Sequence, residues 1–239
     1  MKIQIIPCLQ DNYSYLIIDE ENNTACVIDP SEATPIIEYL ENNKIKLKFI
    51  LNTHHHYDHV GGNQKLKEKY GAIVVGYKGD KERIPEIDIL LSDQDTWIYQ
   101  NFKAKIIHVP GHTLGHICFY FHEEQSVFTG DTLFSLGCGR IFEGTYSQMF
   151  DSLMKLKELP HDTKVYCGHE YTKKNSEFCI AYDANNKNLK AKINDINIKL
   201  KNGLPTIPST IKDELECNIF LRSGNVDAFS KLRDLKDNF

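Results

Sequence analysis

Apolar residues follow two rhythms along this chain, and the switch between them divides it. In the first part the rhythm is that of strands. Lys2–Cys8, Tyr13–Asp19 and Ala25–Asp29 are apolar runs separated by the turn-type stretches Gln10-Asp11-Asn12 and Glu20–Asn23. They predict an antiparallel meander. Thr34-Pro35 opens a helix, with a capping-type residue followed by a proline at the first helical position. That helix runs through Ile36, Ile37 and Leu40 to about Asn43. A strand over 47–52, a helix over 63–70 and a strand over 72–75 follow. Residues 77–95 read as polar and irregular. Strand-type runs return at 96–99, 103–109, 117–121 and 126–129. Thr145 and Gln148 form a capping-box pattern that opens a helix with Phe150, Leu153, Met154 and Leu156 on one face. Residues 164–167 are the last predicted strand.

After Tyr171 the rhythm is helical. Leu189, Ile193, Ile196 and Leu200 recur at spacings of four, three and four, one face of a long helix. Gly203 and Pro205 end it. A short helix is expected over 227–235. The boundary falls near 170–175, which gives a mixed α/β domain over 1–171 and a helical domain over 172–239.

Composition narrows the class without naming it. With 41% hydrophobic and 26% charged residues, the chain reads as an ordinary globular protein long enough to bury a core. A net charge of −5 gives no sign of a nucleic-acid partner. The charge is uneven: residues 172–239 carry twelve Lys/Arg against nine Asp/Glu, whereas the first 171 carry sixteen against twenty-four. Seven scattered cysteines without a CxxC pair suit reduced thiols, hence a cytoplasmic location. The start is broken too soon by Pro7 for a signal peptide, and no apolar run approaches the roughly 20 residues of a membrane helix. A monomer acting on a small molecule is expected.

The chemistry concentrates in Thr53-His54-His55-His56-Tyr57-Asp58-His59-Val60-Gly61-Gly62-Asn63. Four of the ten histidines and an aspartate fall within six positions. Imidazole and carboxylate are the usual nitrogen and oxygen ligands of zinc and similar ions. The stretch lies between a predicted strand and a predicted helix, and Gly61 and Gly62 would let the backbone turn tightly. On an extended segment His54 and His56 point to one side and His55 to the other. Asp58 and His59, being adjacent, are expected to diverge. That arrangement suits two metals, one held by His54 and His56, the other by Asp58 and His59.

Three further places repeat one layout. His112 follows a strand and Gly111, Asp131 follows a strand and Gly130, and His169 follows a strand and Gly168. Ligand-type residues on loops at strand ends are a common way to build a site on a rigid scaffold. Together with the central loop they close a ligand count for two metals: His54, His56, Asp58, His59, His112, Asp131 and His169. Asp131 is the natural bridge, since a carboxylate offers two oxygens and a neutral imidazole cannot span two ions. His108, His116, His122 and His161 are read as structural or surface residues.

These motifs resemble the metallo-β-lactamase superfamily, and more narrowly its glyoxalase II (hydroxyacylglutathione hydrolase) family. The residues that carry the likeness are Thr53–Asn63, Pro110–Thr113, Thr129–Phe134, Gly137–Arg140, Phe142–Thr145, Cys167–Thr172, Ile207–Thr210 and Leu232–Phe239, across essentially the whole chain. The resemblance implies an αββα sandwich of two mixed sheets, a C-terminal helical domain and two divalent metals. Zinc is the first expectation, although the same ligands suit iron and manganese. It implies a glutathione site at Arg140, Phe142, His169, Tyr171, Arg233 and Lys236. Phe142 departs from the family, which often has an aromatic hydroxyl there. The implied reaction is hydrolysis of S-D-lactoylglutathione, the second step of methylglyoxal detoxification. Asp58 and Asp131 would orient a hydroxide held between two ions. A persulfide dioxygenase with one iron, which also carries Gly-Cys-Gly-Arg, and a non-catalytic metal-binding module are the alternatives.

Overall fold

The computed structural model describes all 239 residues. They pack as two compact units, Met1–His108 with Gly115–Glu124, and Val109–Leu114 with Gln125–Phe239.

The first unit is built on a six-stranded mixed sheet. Strands β1 (Lys2–Cys8), β2 (Asn12–Asp19) and β3 (Thr24–Ile28) pair antiparallel, as their turn-separated runs predict. Helix α1 (Thr34–Asn42) then returns the chain so that β4 (Lys46–Leu51) lies parallel to β3. Thr34 does not cap α1; the cap position is Ala33, without a side-chain hydrogen bond, and Pro35 supplies the start signal. After β4 come the single turn α2 (Tyr57–Val60), α3 (Asn63–Tyr70) and the parallel strand β5 (Ile73–Tyr77). The stretch expected to be irregular holds another parallel strand, β6 (Ile87–Leu91). Its polar flanks conceal a short edge run in which Leu91 is buried and Asp88 and Leu90 are exposed. Ile6, Leu16, Val27, Ile50 and Val74 from the sheet and Ile36, Leu40 and Leu66 from α1 and α3 form the core of this unit. The rest of the unit is an antiparallel meander of β7 (Thr96–Tyr99), β8 (Phe102–His108) and β9 (Ile117–Phe121).

In the second unit β10 (Ser126–Gly130) is followed by a tight ribbon of two-residue strands, β11 (Leu133–Phe134) and β12 (Gly137–Cys138). Helix α4 (Tyr146–Lys157) opens with the expected capping box between Thr145 and Gln148 and buries Met149, Leu153 and Leu156. Strand β13 (Lys164–Cys167) then pairs parallel to β10. The remainder is mostly helical: α5 (Thr172–Tyr182), α6 (Lys187–Lys201), α7 (Ile211–Cys217) and α8 (Val226–Asp237). The expectation of helix alone is corrected by β14 (Ser209–Thr210), which adds antiparallel to β13. Two residues are too few for a periodicity to register. Gly203, in the left-handed region, ends α6 as read from the sequence. All seven cysteines are buried and free. No helix is long and apolar enough to cross a membrane.

Candidate metal centre

In the first unit the centre begins where β4 leaves the core. Parallel pairing of β3 and β4 sets Ile28 beside Leu51, so the residues that follow each strand meet. Asp29, buried and in the left-handed region at φ 47°, turns its carboxylate onto the metal loop. Its Oδ1 accepts from the Thr53 backbone N–H at 2.8 Å, and its Oδ2 accepts from the Thr53 hydroxyl at 2.6 Å. The same Oδ2 lies 2.9 Å from His59 Nδ1.

These bonds fix proton positions. The Thr53 hydroxyl donates to Asp29 and so accepts from His54 Nδ1, 3.0 Å away. His54 is left with its lone pair on Nε2, and that nitrogen lies 3.1 Å from His56 Nδ1. The two rings converge, as alternation on an extended segment requires. His59 donates Nδ1–H to Asp29 and keeps its lone pair on Nε2, 3.6 Å from Asp58 Oδ2. Asp58 and His59 therefore do not diverge. They sit on the helical turn α2, where neighbours are about 100° apart rather than opposed. Asn12 steadies Asp58 by donating to its Oδ2 at 3.0 Å. One ligand atom each from Asp29, His54 and His59 lies within 4.8 Å of the others.

His55 turns away, with Nδ1 3.3 Å from Oδ2 of the buried Asp80, which Arg83 also engages. His116, read as structural or surface, is fully buried with its ring stacked on His54 at 4.6 Å. Gly61 and Gly62 serve differently from the expected tight turn, since neither has a positive φ. They allow close approach: a Cβ would come within 2.6 Å of the Ser31 carbonyl at Gly61 and 2.8 Å of the Pro30 carbonyl at Gly62.

In the second unit β10 and β13 run parallel with Gly130 beside Cys167, so Asp131 and His169 leave the sheet at one end. Gly168 N–H donates to the Gly130 carbonyl at 2.9 Å and ties the two exits together. One oxygen, Asp131 Oδ2, lies 3.4 Å from His169 Nε2 and 3.5 Å from His112 Nε2. His112 donates Nδ1–H to the Arg140 carbonyl at 2.7 Å, which leaves its lone pair on Nε2.

In both units a lone pair on a ring nitrogen thus faces a carboxylate oxygen. Such pairs repel unless a positive charge lies between them, and nitrogen and oxygen donors at these separations fit a divalent ion of the zinc type. Histidines whose other nitrogen is bonded to a carboxylate, hydroxyl or carbonyl are the arrangement that orients metal ligands.

The residues expected to face a substrate have varied surroundings. Arg140 is exposed, with Nε 3.6 Å from Asp237 Oδ1. Phe142 is 61% exposed and meets the His112 ring edge-on at 5.2 Å. Tyr171 stacks on His169 at 4.7 Å and tilts against Phe134. Lys236 lies over the rings of Phe178 and Phe239, and burial, together with the Arg233 charge, depresses its pKa. Arg233 is buried. Its Nη1 donates to the Cys138 carbonyl at 2.8 Å and its Nη2 to Asp237 Oδ1 at 2.9 Å. No thiol is poised as a nucleophile: burial raises the Cys138 pKa and pushes Cys167 up to about 12.

Residues 10–93 and 101–169 match the family described as the metallo-beta-lactamase superfamily, and 170–239 match the hydroxyacylglutathione hydrolase C-terminus. The chain is 75% identical to a hydroxyacylglutathione hydrolase of Pelagibacter ubique (strain HTCC1062) over 239 residues, the whole of both chains. It is 40% identical to one from Methylococcus capsulatus over 253 aligned positions, covering 100% of this chain and 99% of that one. Among solved structures, the BLEG-1 B3 metallo-beta-lactamase has a TM-score of 0.73 at 21% identity, covering 92% of this chain and 99% of the other. The two-mixed-sheet α/β fold with a helical C-terminal part, expected from the motifs, is therefore borne out.

Proposed function

The chain belongs to the metallo-β-lactamase superfamily and within it to the hydroxyacylglutathione hydrolases, and from that premise we propose how its residues carry the reaction. The protein is a thioester hydrolase that cleaves S-(2-hydroxyacyl)glutathione, S-D-lactoylglutathione, to glutathione and a 2-hydroxy acid. The observation that carries this reading is identity of 75% over the full length with a protein of that activity.

His54, His56, Asp58, His59, His112, Asp131 and His169 are the residues that would hold two divalent metals, zinc by preference. When bound, such ions lower the pKa of a coordinated water to about 7 and make hydroxide available at neutral pH. The protein's own share is orientation. Asp131, with Oδ2 set between two imidazoles, and Asp58, held by Asn12, would orient a water by accepting its hydrogen bonds. The leaving thiol has a pKa near 8.5, so no strong general acid is required. That suits a chain whose cysteines are all buried.

Residues 172–239 form the substrate-binding part. The exposed Arg140 guanidinium and Lys236 pair with the carboxylates of glutathione, and Tyr171 and Phe142 border the reacting end beside His169 and His112. Phe142 offers a ring face in place of a hydroxyl. We place the enzyme in the cytoplasm as a monomer, in keeping with its reduced thiols.

Metal analysis combined with turnover of S-D-lactoylglutathione tests the whole reading. Two metals per chain with rapid hydrolysis is the expected result. One iron with oxygen uptake, or metal without turnover, would overturn it.

A further inference from the structure

The ribbon of β11 and β12 is held in an unusual way. Its two strands span only six residues, Leu133–Cys138, and Leu136 at its tip sits at φ 58°, a region a branched side chain rarely adopts. Such strain persists only where the surroundings over-determine it. Here the backbone of the ribbon is gripped by five buried side chains that lie after residue 170. Asn175 Nδ2 donates to the Ser135 carbonyl at 3.1 Å. The Cys179 thiol donates to the Leu136 carbonyl at 3.1 Å, while the Leu136 N–H donates to Glu214 Oε2 at 2.8 Å. Asn218 Nδ2 donates to the Gly137 carbonyl at 3.0 Å and to Glu214 Oε2 at 2.9 Å. Arg233 closes the far end on the Cys138 carbonyl at 2.8 Å, its charge set over the Phe220 ring and against Asp237.

The ribbon runs directly into Gly139 and Arg140. A Cβ on Gly139 would fall 1.8 Å from the Asp131 carbonyl oxygen, so this backbone is seated on Asp131. Gly139 N–H also donates to the Thr132 carbonyl at 3.1 Å. The next carbonyl, that of Arg140, receives the His112 Nδ1 proton. A shift of the ribbon would therefore re-aim both Asp131 and His112.

We propose that Asn175, Cys179, Glu214, Asn218 and Arg233 form a clamp on residues 133–138 that aims Asp131 and His112, so that Arg233 is a positioning residue for metal binding. The inference rests on the reading of Asp131 and His112 as metal ligands. It assigns the C-terminal segment a second task beside substrate binding: the helices set the geometry of ligands that lie in sequence before them. A buried guanidinium suits this work, because its planar fork can hold a carbonyl and a carboxylate at once.

The test compares Arg233→Met and Asn218→Ala with Lys236→Met in the full-length, metal-loaded protein. Zinc affinity is read by chelator competition and site geometry by the visible spectrum of the cobalt-substituted protein. kcat and KM are measured on S-D-lactoylglutathione and on a small thioester without glutathione. Arg233→Met and Asn218→Ala are expected to weaken zinc binding roughly 10- to 100-fold, the range for groups that orient metal ligands. They should alter the cobalt spectrum and lower kcat on both thioesters alike. Arg233→Lys, which keeps a donor to Cys138, should recover part of the loss. Lys236→Met should leave zinc affinity and the cobalt spectrum unchanged. Unaltered metal affinity and spectrum, with KM raised only for the glutathione substrate, would overturn the proposal and leave Arg233 with the substrate alone. If Arg233→Met does not fold, Asn218→Ala decides between the same outcomes. His112→Ala separates the two levels: full metal content in that variant means the ligand reading has failed, and the clamp with it.

Discussion

Replacing Glu214 with glutamine should stabilise this protein, and by an amount that depends on pH. Glu214 is fully buried, and burial raises its carboxyl from 4.5 to about 7 despite the hydrogen bonds it accepts from Leu136 N–H and Asn218. Between those values the unfolded chain has already released the proton that the folded chain still binds. Stability then falls as pH rises, by about 1.4 kcal/mol per pH unit for one proton, and levels off above pH 7. The full cost is about 3 kcal/mol. Glutamine has nearly the same shape, keeps a carbonyl oxygen for both donors and cannot ionise. Glu214→Gln should match the parent near pH 4.5 and exceed it by roughly 2–3 kcal/mol at pH 8. For a chain of this size that is about 5–10 °C in Tm. Urea titrations of the two proteins in parallel from pH 5 to 8.5, both metal-loaded, isolate the difference. A stability gap that does not change with pH, or a glutamine variant that is weaker at pH 8, would refute the reasoning and show that the ionised carboxylate is welcome where it is.

Asp131→Ala should bring bound metal below one equivalent and abolish turnover, because one oxygen serves two imidazoles; a variant with two metals and near-normal turnover would remove it from the centre. His55→Gln should be far milder than His54→Gln or His56→Gln in metal content, since His55 faces Asp80; equal losses in all three would contradict the loop geometry. Lys236→Ala should raise KM for S-D-lactoylglutathione about tenfold, the low end for a charged hydrogen bond after discount for exposure. Its kcat should hold, and a small thioester should be unaffected; a fall in kcat on both substrates would assign Lys236 to packing.

The centre was legible wherever its chemistry is dense along the chain. Four histidines in six positions speak for themselves, and the strand-glycine-ligand layout repeats openly at His112, Asp131 and His169. Asp29 could not be found that way, because it reaches Thr53 and His59 only through the parallel register of β3 with β4. An aspartate that ends a buried strand was the available signal, and it looks like any turn residue. Asp58 and His59 were misjudged for a local reason, a single helical turn inserted where the chain read as extended. Arg233 illustrates the wider limit. On a polar helix a lone cation has the pattern of a solvated face, and only the fold brings it to Cys138, 95 residues earlier. The β6 edge and the two-residue strands of the ribbon were too brief for periodicity to register.

The burial of all seven thiols acquires a meaning from the reaction. Each turnover releases a free thiol at the catalytic centre, and glutathione in a cell is always accompanied by its disulfide. Exchange with that disulfide requires a thiolate that a partner can reach. Burial pushes the Cys167, Cys179 and Cys217 thiols up to about 12 and raises those of Cys8 and Cys138 as well. An enzyme bathed in its own sulfur product is thereby protected from becoming a mixed disulfide with it, and its output should be indifferent to the glutathione redox balance around it.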